Sequence, residues 1–164
     1  VRDNYDLPDG RRIIVATDGS AESLAAARGA VELFGPDAQI VLAAVVAERE
    51  SPDLGAGGFG GPLMTEEEAE AEWVERRDEA RQDLTDAARV IGDDVERRLI
   101  PTAEDPGRAL VRFAIDADAD VIVVGATSKG RIRRVFTHSV SDHLVHNAPC
   151  PVLVVPRPQP GADD

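Results

Sequence analysis

Cysteine, lysine and aromatic side chains are scarce in this 164-residue chain, and each shortage excludes something. The one cysteine, Cys150, allows no intramolecular disulfide, which fits a reducing compartment and makes the cytoplasm the expected location. Aromatics are only 4% of residues, so the core must be aliphatic, drawn from a hydrophobic fraction of 43%. No apolar run approaches the roughly 18 residues that a membrane-spanning helix needs. The opening Val1-Arg2-Asp3-Asn4 also lacks the layout of a signal sequence, so no membrane insertion is expected. Lys129 is the only lysine in a chain of net charge −13. That field disfavours nucleic acid and anionic membrane as partners. Two origins fit such a surface: a salt-loving source, where salt screens self-repulsion, or an ordinary acidic protein from a GC-rich genome.

The length suits one domain and is too short for two. Residues 1–10 read as an N-terminal tail, 11–156 as the domain and 157–164 as a disordered C-terminal tail. Residues 12–16 (Arg-Ile-Ile-Val-Ala) form a nearly continuous apolar run, the pattern of a strand buried on both faces. The run ends at Thr17-Asp18-Gly19-Ser20, a turn cluster whose Ser20 can cap a helix. That helix carries Leu24, Ala27, Val31 and Phe34 at helical spacing and stops at Gly35-Pro36. A second buried strand is predicted over 39–46. The glycine-rich stretch 55–62 reads as a flexible connection and lacks the lysine and hydroxyl pairing of a P-loop. Thr65 and Glu68 carry a capping-box signature for a long helix through Trp73, Ala80, Leu84, Ala87 and Ile91, closed by Gly92.

Residues 95–100 mix apolar and charged side chains and are expected to form an edge or half-exposed strand. Asp105-Pro106 opens a helix through Ala109, Leu110, Phe113 and Ala114. Residues 121–124 form another buried strand ending in Gly125, a last helix is predicted over about 139–146, and 151–155 gives a fifth strand. Strands alternating with helices imply an α/β fold, an open, mostly parallel five-stranded sheet with helices on both faces, Rossmann-like in type.

In such sheets ligands bind beyond the carboxyl ends of the strands, where the winding direction reverses. The first strand ends in Ala16-Thr17-Asp18-Gly19-Ser20, and the fourth runs through Val124 and Gly125 into a loop with Ser128, Lys129, Gly130 and Arg131. Lys129, Arg131, Arg133 and Arg134 gather there, and a Gly/Ser loop with cations beside a helix N-terminus can cradle an anion. Without a ligand, the same residues read as a basic patch balancing nearby carboxylates. Asp18 reads as a ligand contact or as a helix cap. His143 and His146 can share a helix face, but Asp142 is expected to point elsewhere, and a zinc site wants three or four convergent groups. Ser141, Asp142 and His143 are helical neighbours and cannot form a triad. Trp73 is expected to pack and Cys150 to be inert.

Three segments together resemble the universal stress protein family: Ile-Val-Ala-Thr-Asp-Gly-Ser, Ala-Asp-Val-Ile-Val-Val-Gly and Asn-Ala-Pro-Cys-Pro-Val-Leu-Val-Val. The likeness runs from about Arg11 to Pro156. It implies the nucleotide-binding α-hydrolase type of fold, with ATP or AMP between the first and fourth strands and Mg²⁺ on the phosphates. ATP-binding members carry glycine, two residues, glycine, nine residues, then glycine followed by Ser or Thr. Here the first glycine is Gly125 and the hydroxyl residue is Ser139, while Ser128 and His138 replace the other two glycines. The imidazole is the more serious change, since backbone should approach the ligand closely there. The resemblance also assigns Ala16, Thr17 and Asp18 to the adenine- and ribose-facing turn, Val45 to an adenine wall, and Val140 to the position after the hydroxyl residue. It implies a homodimer through the last strand, Val152 to Val155.

The leading reading is a non-catalytic, stress-associated, nucleotide-responsive protein. A dimeric interaction or regulatory module that has lost nucleotide is the alternative, which His138 favours. A slow ATPase lacks a positioned general base, and a regulatory domain of a larger chain stays open. If the acidity is an adaptation to salt, the melting temperature will rise clearly between about 0.1 M and about 2 M KCl, as the Debye length shrinks from about 10 Å to below about 3 Å. An equal rise in a near-neutral homologue would assign the effect to general salting-out.

Overall fold

Three consecutive residues, Ile13, Ile14 and Val15, are fully buried in strand β1 (Arg12–Ala16). Alternate side chains of a strand point to opposite faces, so such a run is stable only where both faces are covered. The computed structural model describes residues 10–35, 37–48, 65–126 and 140–156, and it provides both covers. After β1 come α1 (Ala21–Phe34), β2 (Gln39–Ala47), α2 (Glu66–Ile91), β3 (Glu96–Thr102), α3 (Pro106–Asp116), β4 (Val121–Gly125), α4 (Val140–Asn147) and β5 (Val152–Val155). The strand order is β3-β2-β1-β4-β5, with every neighbouring pair parallel. Val15 sits beside Leu42 of β2 on one side and Val123 of β4 on the other.

Helices α1 and α2 cover the face that carries Ile13, Val15, Leu42 and Val123. Helices α3 and α4 cover the other, where Leu110 and Leu144 pack against Ile14, Ala43 and Ile122. The α/β fold expected from the sequence is the fold observed.

Local chemistry explains where the helices begin. Ser20 Oγ accepts from the Ser23 N–H at 3.2 Å and caps α1. Thr65 and Glu68 complete a capping box at the head of α2. Asp105 Oδ1 accepts from the Gly107 and Arg108 N–H groups, with Pro106 at the first helical position of α3. Each such cap is worth about 1 kcal/mol.

The inner face of α1 differs from the one the spacing predicts. Ala26, Ala27 and Ala30 are fully buried, whereas Leu24, Val31 and Phe34 are half-buried at the margin. Small side chains let the helix lie close to the sheet, and the larger ones fill the flanks. The bounds of β3, α4 and β5 differ by one or two residues from the predicted ones, within the range over which element ends fray. The predicted flexible stretch 55–62 and the tails lie outside the described residues, apart from Gly10.

The two edges of the sheet are unlike. Outer strand β3 exposes Glu96, Arg97 and Arg98, and it contains Pro101, which cannot donate to a ladder. Outer strand β5 is wholly apolar, with Val154 37% exposed.

Overfilling the α1 stripe tests its closeness to the sheet. Ala27→Leu is expected to cost about 1–3 kcal/mol in urea unfolding. Leu33→Ala, at an exposed site on the same helix, should stay within about 0.5 kcal/mol.

Candidate functional site at the switch point

Because the sheet runs β3-β2-β1-β4-β5, the connections after β1 and β4 leave in opposite directions and open a crevice between them. The β1–α1 turn forms one wall, and each of its backbone N–H groups has a partner among the described residues. The Thr17 N–H donates to the Ala43 carbonyl at 2.9 Å. The Asp18 N–H donates to Ser23 Oγ and the Gly19 N–H to Thr17 Oγ1, both at 3.4 Å. The Ser20 N–H and hydroxyl both donate to Asp18 Oδ1, at 3.1 and 2.5 Å. Ser23 Oγ–H is directed to the Ser20 carbonyl at 3.0 Å, so in its 3.2 Å contact with Thr17 Oγ1 the threonine is the donor. All four N–H groups of the turn are therefore used internally. Towards a ligand the turn offers acceptors, which suits hydroxyl or amino donors and not phosphate.

Asp18 thus acts within the turn as the residue that orders Ser20, the local role its position allowed. Thr17 is buried and serves the same network. Ser23, which sequence reasoning passed over, is the hub. Its place three residues after the cap was the available signal.

The apolar site candidates share one cluster on the α3/α4 face of the sheet. Ala16, Val45 and Val140 are half-buried, Val124 is buried, and all four join the cluster on the α3/α4 face. Ile100, level with Val45 across the β2–β3 ladder, joins the same cluster and was not foreseen. These residues come from five elements, β1, β2, β3, β4 and α4, and only the fold gathers them. Ser128, Lys129, Gly130, Arg131, His138 and Ser139 lie outside the described residues, as do Arg133 and Arg134.

Two glycines are required by close approach. A Cβ on Gly125 would stand 2.7 Å from the Glu22 carbonyl carbon and oxygen, so β4 ends directly against the backbone of the first turn of α1. Gly19 has φ +71°, and a Cβ there would stand 2.6 Å from Asp83 Cγ of α2. Asp83 is 64 positions along the chain from Gly19, and nothing local announces the contact. Glu22, also unforeseen, is buried in the first turn of α1, where the positive helix end favours a carboxylate.

The discounted groups stay apart. The His143 ring packs on Gly107 of α3, where a Cβ would stand 2.9 Å from it, while His146 is exposed. Contrary to expectation, the Asp142 carboxylate does not point away: it lies 3.9 Å from His146 Nδ1, one helical turn apart. Among the described residues no group of three His, Cys, Asp or Glu side chains could hold a metal ion. Trp73 is half-buried under the Arg77 guanidinium, 4.7 Å from the ring centroid. No described helix is long and apolar enough to cross a membrane.

Sheet order and crossover helices together define an open α/β protein with a topological switch point between β1 and β4. The chain belongs to the universal stress protein family, whose model matches residues 10–156. It is similar to a universal stress protein of Methanocaldococcus jannaschii, 31% identical over 150 residues that cover 91% of this chain and 84% of that one. Among solved structures it is similar to a universal stress protein in complex with cAMP, at 22% identity and TM-score 0.58, over 92% of this chain and 100% of that one. It is also similar to a family protein from Arabidopsis thaliana with AMP bound, at 18% identity and TM-score 0.58, over 93% of this chain and 97% of that one. At these identities the two structures speak for the fold.

Cys150 is half-buried, and burial pushes its thiol above the ordinary range. The Asp120 carboxylate adds to the rise, and the backbone at Ile122 opposes it. Only the thiolate is nucleophilic, so iodoacetamide will alkylate the native protein more slowly than the urea-unfolded chain at the same mildly alkaline pH. A raised folded value favours the protonated thiol. Its contribution to stability is therefore full below the ordinary cysteine range and is lost as pH climbs through the raised value. Equal alkylation rates in the two states would contradict this.

Proposed function

We propose that this protein binds an adenine nucleotide, AMP or ATP, in the crevice between β1 and β4 and works as a non-catalytic, nucleotide-responsive stress protein of the cytoplasm. The observation that carries the reading is the convergence of Ala16, Val45, Val124 and Val140 on one apolar cluster beside an acceptor-only turn. An apolar slot suits a nucleobase, and the adjoining acceptors suit ribose hydroxyls. The AMP and cAMP of the two related proteins support the choice of ligand class. Phosphates then extend towards the segment carrying Ser128, Lys129, Gly130, Arg131, His138 and Ser139, where the resemblance puts them. Mg²⁺ would arrive with the phosphates, held mainly by their oxygens and by water. A lone thiol fits a reducing compartment, and the acidic, lysine-poor composition supports the salt-adapted reading.

A second reading is favoured by one specific feature, His138 in place of a motif glycine: a dimeric interaction module without nucleotide. Both readings include a two-fold dimer through β5, whose apolar edge is otherwise open. Calorimetry separates them. Replacing Lys129 and Arg131 with Ala is expected to weaken ATP binding, each lost charge-assisted contact being worth roughly 1.5–3 kcal/mol. His138→Gly is expected to tighten it. Absence of binding in both the parent and His138→Gly would favour the module, and tight parental binding weakened by His138→Gly would make the imidazole a contact. Sedimentation as a monomer at micromolar concentration, in low and high salt, would remove the dimer from both.

A further inference from the structure

We infer that Asp83, on the long helix α2, is a positioning residue for the ligand-facing turn at 17–20. The inference rests on the nucleotide reading only for what that turn faces. Gly19 has φ +71°, and the space its Cβ would take is filled by the Asp83 carboxylate, with Cγ 2.6 Å and one oxygen 3.3 Å from that point. Within the turn, the Asp18 and Gly19 N–H bonds are long, at 3.4 Å each. Bonds of that length hold weakly, so the turn's own network leaves Gly19 the loosest point of the wall. Glycine is also the residue with most backbone freedom to lose. A half-buried side chain closing on its Cα removes that freedom from outside.

The carboxylate is delivered by a helix anchored elsewhere. Leu84, Ala87 and Ala88, next to Asp83 in α2, are buried in the cluster beneath α1. The helix backbone at Asp83 is thus held by the core packing of its neighbours, and its half-buried carboxylate lies against the turn. The restraint works in both directions: a ligand that orders the turn also orders this part of α2, since coupling between two sites is reciprocal.

The test compares Asp83→Ala, Asp83→Asn and the control Asp86→Ala. Asp86 is one turn further along and pairs with Arg89 on the exposed side. Amide exchange at Gly19 and Ser20, read by NMR on the ligand-free protein, is expected to quicken at least about fivefold in Asp83→Ala, and less in the isosteric Asn variant. It should be unchanged in Asp86→Ala. The AMP dissociation constant should rise about tenfold in Asp83→Ala alone, with the urea midpoint close to the parent's. Gly19→Ala should lower that midpoint less in the Asp83→Ala background than in the parent. Unchanged exchange in Asp83→Ala overturns the inference whatever AMP does. Faster exchange with undiminished AMP affinity overturns its ligand-facing half. A parent that binds no AMP overturns the nucleotide reading instead, and the exchange rates then decide the role of Asp83 by themselves.

Discussion

The carboxyl edge of this sheet is organised by how closely α1 lies against β1 and β4. Ala26, Ala27 and Ala30 bring no bulk to that contact, and Gly125 brings none at all. The backbone of Glu22 and Ser23 can therefore sit where any larger residue at position 125 would collide. With the first turn held there, the Ser23 hydroxyl reaches both Thr17 and the Asp18 N–H, and the β1–α1 turn takes its shape. Gly125 thus makes room for the first turn of a helix.

Charge is distributed by a different logic. The arginines of α2 are engaged locally: Arg76 with Glu72, Arg77 with Asp78 and the Trp73 ring, Arg81 with Asp78, and Arg89 with Asp86. Exposed pairs of this kind contribute about 0–1 kcal/mol each. They organise the helix surface and leave the net charge of −13 in place. An anionic ligand approaching such a protein needs a local excess of cations, and the sequence concentrates Lys129, Arg131, Arg133 and Arg134 in one short segment. Ribose hydroxyls meet no such barrier at a wall made of acceptors.

The elements were legible because their signals are local. Continuous apolar runs gave β1, β2 and β4, and Ser20, Thr65 and Asp105 marked helix starts through bonds that span three residues or fewer. The open parallel sheet was legible too, since strands alternating with helices imply parallel crossovers. What stayed hidden depends on distance along the chain. Asp83 over Gly19, and Gly125 against Glu22, are contacts between elements, and no spacing rule reaches them. The inner face of α1 was misread for a related reason: large residues dominate a hydrophobic pattern, whereas the closest packing goes to the smallest. The carboxylate of Asp142 was misjudged although its i,i+4 spacing already puts it on the same helix face as His146.

The unlike edges of the sheet limit what this protein can build. At one end stand Pro101 and a row of charged side chains, which refuse a further strand. At the other, Val152 to Val155 present an apolar edge, the one the proposed dimer would pair. A particle with two adhesive ends grows into a filament, and its length is limited only by supply. A particle with one such end has a valence of one: when two copies meet edge to edge about a two-fold axis, both adhesive ends are consumed and growth terminates. In the proposed dimer, the proline and charges on β3 would act as a chain stopper, keeping an aliphatic, sheet-forming protein from becoming a fibre.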